Sequence, residues 1–262
     1  MELPLDILDY IFGFLKSHPE TLIACSRAHP IFAQVVERFL YHNITIHTDR
    51  STYDGYCLEP LDTFNLLSET PRIANYVRIL CITLGPLAEV DRILEETALV
   101  LPLLPMLECI ILKQPYSIWW LPPLSFSTAL ENCLHLPTLQ EVHVSALYFP
   151  LSTLDNCANI NCFSLSGSPK MPDCSDDIAI YPQLKSLSFE DIDDEDLTSF
   201  TSWAKQHIVK LRSLKCGYSS EPMILEFLEI CSDTLINLDL TLGHSPCRFP
   251  HIFWRRRTEY SR

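Results

Sequence analysis

The chain has 262 residues, of which 47% are hydrophobic and 20% are charged, a composition typical of folded globular proteins and unlike that of disordered ones. Its 33 acidic and 19 basic residues give a formal net charge of −14, which repels nucleic-acid phosphates and anionic lipid head groups. We therefore expect no nucleic-acid partner and no membrane partner.

The N-terminus carries Glu2, Asp6 and Asp9 where a secretory signal needs a basic segment followed by an uninterrupted apolar run. The longest uncharged stretch, residues 114–130, is short for a membrane span and is broken by prolines. We expect a cytoplasmic protein, with the nucleus as the alternative location.

The first predicted element is a helix from about Pro4 to Leu15. Pro4 suits the first turn of a helix, and Asp6 follows where the helix dipole favours a negative charge. Two apolar stripes run side by side along this helix. One comprises Leu5, Leu8, Phe12 and Leu15, and the other comprises Ile7, Ile11 and Phe14. So much apolar surface indicates burial in a larger core or docking into the groove of a partner.

Two further short helices are predicted before residue 41. Ser17-His18-Pro19-Glu20 has the spacing of a capping box and should begin the second helix. That helix should end before Pro30, because proline disfavours a helical conformation in the residue before it. The third helix then runs from Pro30 to Leu40, and the alternating run "NITIHT" predicts a strand.

These segments read "LPLDILDYIFGFL", "ETLIACSRAHPIF" and "ERFLYHNITI", and their order and spacing resemble an F-box over roughly Leu3 to Ile46. The resemblance implies three helices that dock into the adaptor subunit of an SCF-type ubiquitin ligase, and through it onto the cullin scaffold. It also implies a pool of residues that form the F-box core or contact the adaptor. The pool comprises Leu3, Pro4, Leu5, Ile7, Leu8, Ile11, Phe12, Leu15, Leu22, Ile23 and Phe32.

The rest of the chain repeats an apolar pattern at positions x, x+3 and x+5, beginning with Val77/Leu80/Ile82 and ending with Leu235/Leu238/Leu240. Seven copies begin 21 to 32 residues apart, and in each the x+3 and x+5 side chains point to one face of a short strand. Helices are predicted between them at 88–100, 128–135, 194–207 and 223–231. The alternation resembles the irregular leucine-rich repeats found downstream of many fungal F-boxes, with a different α/β stack as the alternative.

The predicted fold class is mixed α/β, with a small N-terminal three-helix F-box followed by an irregular leucine-rich-repeat-like solenoid. The predicted domains are the F-box at 1–46, a linker at 47–75, the solenoid at 76–243 and a C-terminal tail at 244–262.

Motifs for metal, cofactor and catalytic chemistry are absent from the sequence. The eleven cysteines form no CxxC pair and no cluster with histidines at zinc-ligand spacing, so we expect reduced thiols and no metal. The six glycines form no GxGxxG, and neither GxSxG nor HExxH occurs, so we expect no cofactor and no enzyme activity. Trp119-Trp120 is interpreted as packing a loop against the repeats, with ligand binding as the alternative.

The function hypothesis is the substrate-receptor subunit of an SCF-type ubiquitin ligase, which binds the adaptor through the F-box and an unidentified protein substrate through the repeats. The alternative is a leucine-rich-repeat interaction scaffold whose helical N-terminus only caps the solenoid, without a ligase role. A hydrolase with a triad assembled from distant residues is the third hypothesis.

Overall fold

The computed structural model describes residues 4–47, 57–84, 90–113, 122–145, 149, 151–154, 157–166, 183–190, 194–217, 221–241 and 252–255. The chain divides into two compact units, residues 1–111 with 123–138 and residues 112–122 with 139–262. The predicted domain boundaries at residues 46 and 75 both fall inside the first unit.

The first unit begins with three helices and continues as alternating strands and helices. Its elements are α1 (Leu5–Gly13), α2 (Pro19–Ala28), α3 (Pro30–Leu40), β1 (Asn43–His47), β2 (Cys57–Leu58), α4 (Pro60–Glu69), α5 (Pro71–Ala74), β3 (Ile79–Thr83), α6 (Val90–Val100), a 3₁₀ turn (Leu101–Leu103), β4 (Cys109–Lys113), which starts in this unit, and α7 (Leu124–Leu134).

The strands of the first unit follow the order β4-β3-β1-β2, so that β1 lies between β2 and β3. Strand β1 is parallel to both neighbours and in register with β3, where Ile44 lies beside Leu80 and Ile46 beside Ile82. These four side chains are buried, as the alternation in both strands requires. Helix α4 packs against α6, and α6 packs against α7.

The second unit is a run of parallel strands in chain order with one antiparallel strand at its end. Its elements are β5 (Glu141–Ser145), a 3₁₀ turn (Leu151–Leu154), β6 (Cys162–Ser166), β7 (Ser186–Glu190), α8 (Asp194–His207), β8 (Ser213–Gly217), α9 (Glu221–Cys231), β9 (Asn237–Thr241) and β10 (Ile252–Arg255). Strands β5 to β9 pair in parallel, each directly in register with the next. Strand β10 pairs antiparallel with β9.

One face of the second unit's sheet carries the core, and the helices lie on that face. The Phe163 ring contacts the Trp203 ring of α8 at 5.6 Å between centroids. Phe189 contacts Phe200 of α8 at 5.4 Å and Phe227 of α9 at 5.6 Å. The alternate residues of β5–β9 point to the opposite face of the sheet and are mostly small and polar. We call this face the open face.

The predicted architecture, a separate three-helix F-box followed by a leucine-rich-repeat-like solenoid, is wrong. The structure is an α/β fold built on parallel strands, and α1–α3 belong to the same compact unit as β1–β3. The x, x+3, x+5 spacing decides only which residues of a short strand face the core. Any stack of parallel strands covered by helices needs that spacing, so the pattern could not distinguish the architectures. The broader assignment to the α/β class agrees with the structure.

Two helix starts also differ from the predicted ones. Helix α2 begins at Pro19 with His18 as its N-cap, and no side chain caps it, so the predicted capping box at Ser17 does not form. Helix α7 begins at Leu124, which places Thr128 inside the helix instead of at its start. In both helices a proline at or just before the first residue sets the start, because its fixed φ suits that position.

The predicted linker at 47–75 contains β2, α4 and α5, and the predicted tail at 244–262 contains β10. Neither segment carries the apolar repeat, so the pattern could not reveal these elements. Trp119 and Trp120 lie outside the described residues.

Candidate functional site

Prolines and a histidine set the starts of the three N-terminal helices. Pro4 is the N-cap of α1, and Pro19 and Pro30 are the first residues of α2 and α3, where a missing N–H costs no hydrogen bond. His29 caps α3, because the Ile31 N–H donates to His29 Nδ1 at 3.2 Å. Three short helices therefore form within 36 residues of described chain, from Leu5 to Leu40.

The three helices share a small apolar core. Leu8 and Phe12 of α1 are buried against α2 and α3, and the Phe12 ring meets the Phe32 ring edge to face at 5.5 Å between centroids. The buried members are Leu8, Phe12, Leu22, Val35 and Val36, with Leu15, Cys25, Ile31, Phe32, Phe39 and Leu40 packed around them. Burial of these side chains fixes which side of α1 faces inward.

The other side of α1 carries large apolar side chains that are exposed to solvent. Ile7 is 47% exposed, Tyr10 69%, Ile11 43% and Phe14 68%. Their spacing at i, i+3, i+4 and i+7 places them along one side of α1 and of its C-cap Phe14, whose backbone is still helical, and we call these four residues the α1 strip. Contiguous exposed apolar patches are found at protein–protein and membrane interaction sites and in ligand-binding grooves.

Aromatic packing joins two members of the α1 strip. The Tyr10 and Phe14 rings lie 4.8 Å apart between centroids with an interplanar angle of 89°, the edge-to-face arrangement that aromatic rings prefer. This contact places two aromatic side chains together on the surface. Aromatic residues are enriched among the residues that contribute most to binding energy at interfaces.

Ion pairs connect α3 to α1 and to α5. Arg38 of α3 forms an ion pair with Asp9 of α1. Arg72 of α5 donates to Glu37 of α3 at 2.8 Å between Nη2 and Oε1. Helix α1 is thus held by its apolar core and by a charged contact beside the α1 strip.

The structure divides the predicted pool of F-box core or adaptor contacts into three groups. Leu8, Phe12 and Leu22 are buried, Leu15, Ile23 and Phe32 are half-buried, and Pro4, Leu5, Ile7 and Ile11 are exposed. Leu3 lies outside the described residues. The pool omits Tyr10 and Phe14. Tyr10 lies three residues after Ile7 and Phe14 three residues after Ile11, so helical spacing places each beside a residue of the pool.

Comparisons with protein-family models and with curated proteins find no match to the chain. Within the residues that the structure describes, no helix has the length and apolar character needed to cross a membrane.

Proposed function

We propose that the protein is the substrate-receptor subunit of an SCF-type ubiquitin ligase, acting in the cytoplasm or the nucleus. The observation that carries the proposal is the α1 strip, four large apolar side chains exposed on a helix whose opposite side is packed in a core. An amphipathic helix that lays an apolar side into a hydrophobic groove is a recurring mode of protein recognition. The F-box resemblance of the same segment indicates that this groove belongs to the adaptor subunit.

In this role the protein performs no bond chemistry. It holds the adaptor through α1 and a protein substrate elsewhere, so that a substrate lysine stays close to the ubiquitin-loaded enzyme recruited by the cullin scaffold. The rate gain comes from effective concentration, since two partners held on one chain meet far more often than free ones.

The proposal predicts that charged substitutions in the α1 strip abolish adaptor binding. The variant Ile11→Asp with Phe14→Asp places two carboxylates where the groove should be apolar. Loss of two anchors of this kind costs about 2 to 4 kcal/mol, which is at least tenfold in affinity. Binding is measured by pull-down of purified adaptor on the full-length protein.

The control variant is Leu124→Asp with Leu225→Asp, because these side chains are 81% and 55% exposed on α7 and α9. It introduces the same charge at exposed apolar positions outside α1 and should bind the adaptor like the wild type. Leu8 and Phe12 are unsuitable targets, since burial means that aspartate there would unfold the helices. The proposal is wrong if the wild type does not bind, or if both variants bind equally well while folded.

An interaction scaffold without a ligase role is the second candidate. It is favoured by the placement of α1–α3 in one compact unit with β1–β3, since helices that complete a unit need no external partner. The same pull-down separates the two functions, because the scaffold does not bind the adaptor.

A further inference from the structure

Two basic residues lie next to each other along the backbone immediately before β7 and β8. The Arg212 N–H donates to the Lys185 carbonyl oxygen at 2.8 Å, and the Ser213 N–H donates to the same oxygen at 3.0 Å. Lys185 and Arg212 are therefore neighbours across the parallel strand pair, and both are exposed. We call them the basic pair.

The basic pair lies off the core of the second unit. Leu184, just before β7, and Leu187 of β7 are buried, so both residues between them, Lys185 and Ser186, lie outside the core. The same spacing recurs on the next strand. There Leu211 and Leu214 are buried, and Arg212 and Ser213 lie outside the core. Helices α8 and α9 pack on the phenylalanines of the core face, whereas Ser186 and Ser213 point to the open face and Lys185 and Arg212 are exposed.

Two other lysines of the second unit, Lys205 and Lys215, are paired with acidic side chains. Lys215 forms an ion pair with Glu190, and Glu190 raises the pKa of Lys215. The Glu190 side chain reaches it across Gly217, where an added Cβ would lie 2.8 Å from Glu190 Cγ. Lys205 of α8 pairs with Glu226 of α9 at 2.6 Å between Nζ and Oε1.

The basic pair has no such partner within the described part of the chain. Like charges on neighbouring strands destabilise a sheet, so the arrangement costs stability in the free protein. Local arrangements that contradict the packing rules concentrate at functional sites. In a chain of net charge −14, two adjacent cations with no acidic partner among the described residues point to an anionic ligand.

Neutral hydrogen-bonding groups surround the basic pair. Ser186 and Ser213 lie side by side in register, and both are half-buried. Asn161 precedes the neighbouring strand β6 and donates from Nδ2 to Gln140 Oε1 at 3.4 Å. Lysine, arginine and hydroxyl groups together bind carboxylates and phosphates, which accept several hydrogen bonds at once.

We propose that Lys185 and Arg212, with the hydroxyls of Ser186 and Ser213, bind one anionic side chain, a carboxylate or a phosphate, on an extended segment of a protein partner. Acidic residues on the open face, Glu141, Glu190 and Asp239, oppose a ligand with many negative charges such as a nucleic acid. The identification of this partner as the ubiquitination substrate rests on the proposed function. The binding of an anionic side chain by Lys185 and Arg212 does not rest on it.

The test uses the full-length protein and four libraries of fluorescein-labelled nine-residue peptides. The central residue is fixed as phosphoserine, glutamate, serine or lysine, and the flanks are randomised among uncharged residues. Fluorescence anisotropy should show that the phosphoserine library, the glutamate library or both bind at least tenfold more tightly than the serine and lysine libraries. Tighter binding of the phosphoserine library alone identifies the bound group as a phosphate. Equal binding of the phosphoserine and glutamate libraries identifies it as a carboxylate.

The variant Lys185→Glu with Arg212→Glu should remove this preference. Lys16→Glu with Arg27→Glu changes the net charge by the same amount at exposed positions, between α1 and α2 and on α2, and should retain the preference. The neutral variant Lys185→Gln with Arg212→Gln repeats the test if the acidic one does not fold. Equal binding of all four libraries, or a preference that survives in both basic-pair variants, overturns the proposal.

Adaptor pull-down on the same variants separates this inference from the proposed function. Lys185→Glu with Arg212→Glu should bind the adaptor like the wild type. If the wild type shows the anionic preference but no adaptor binding, the anion site stands and the ligase role is wrong.

Discussion

His207 at the end of α8 is held in its neutral form by its surroundings. The imidazole is fully buried, stacks on the Trp203 ring at 4.0 Å between centroids, and its Nδ1 lies 2.7 Å from the Trp203 carbonyl oxygen. Burial lowers the pKa of His207 to about 4, and the hydrogen bond to Trp203 opposes part of that shift. In the unfolded chain the pKa returns to the ordinary value of 6.5.

This difference predicts that acid destabilises the protein through His207. Between pH 6.5 and 4 the unfolded state binds the extra proton, so the free energy of unfolding falls as the pH falls through this window. From pH 7.5 to pH 5 the loss from this group should be about 2 kcal/mol. Urea denaturation of the wild type and of His207→Phe at both pH values checks it, because the variant should lose about 2 kcal/mol less. An equal loss in both proteins would refute the assignment.

Buried cysteines provide a second prediction at the residue scale. Burial raises the pKa of the Cys133 thiol to about 12 and also raises the pKa of Cys216, so neither forms the reactive thiolate at neutral pH. Maleimide labelling of the native protein, followed by peptide mapping, should modify half-buried Cys25 and Cys81 before these two. In guanidinium all four should react at similar rates. Fast native labelling of Cys133 or Cys216 would contradict the packing of α7 or β8.

At the scale of elements, helix α3 depends on its histidine cap. His29 Nδ1 accepts the Ile31 N–H that the helix leaves unpaired, and Pro30 follows at the first helical position. His29→Ala should lower the free energy of unfolding by about 0.5 to 1 kcal/mol, whereas His29→Asp should retain the cap. Urea denaturation compares the two variants at neutral pH. Equal stability of the two would show that the cap contributes nothing.

The sequence predicted individual elements better than it predicted their assembly. The helix at 194–207 and the strands around Leu187 and Leu214 lie where periodicity placed them, because alternating burial is a local property of the chain. Strand β2, helix α4 and strand β10 were missed, since none carries the apolar repeat. The architecture was wrong because it depends on which strands pair, and β1 pairs with β2 and β3 through contacts distant in sequence.

The candidate site was predictable only in part. Periodicity revealed two apolar stripes on the first helix, but it could not decide which stripe faces the core. That choice depends on the packing of Leu22 and Val36 from the next two helices against Leu8 and Phe12. Tyr10 belongs to neither predicted stripe, and its edge-to-face contact with Phe14 depends on geometry that the sequence does not specify.

At the scale of the whole molecule, the two units expose two chemically different surfaces. The first unit exposes the apolar α1 strip, and the second exposes the basic pair, which has no acidic partner among the residues that the structure describes. Apolar docking depends little on ionic strength, whereas binding of an anionic side chain by Lys185 and Arg212 weakens as salt screens the charges. The two interactions can therefore be measured separately in one protein.

The most direct test of the ligase proposal is the dissociation constant for purified adaptor and full-length protein at 0.1 M and 0.5 M salt. The proposal predicts tight binding by the wild type that changes little with salt, and at least tenfold weaker binding by Ile11→Asp with Phe14→Asp. Leu124→Asp with Leu225→Asp should bind like the wild type. Absent binding by the wild type, or equal dissociation constants for the wild type and a folded Ile11→Asp/Phe14→Asp variant, would contradict it.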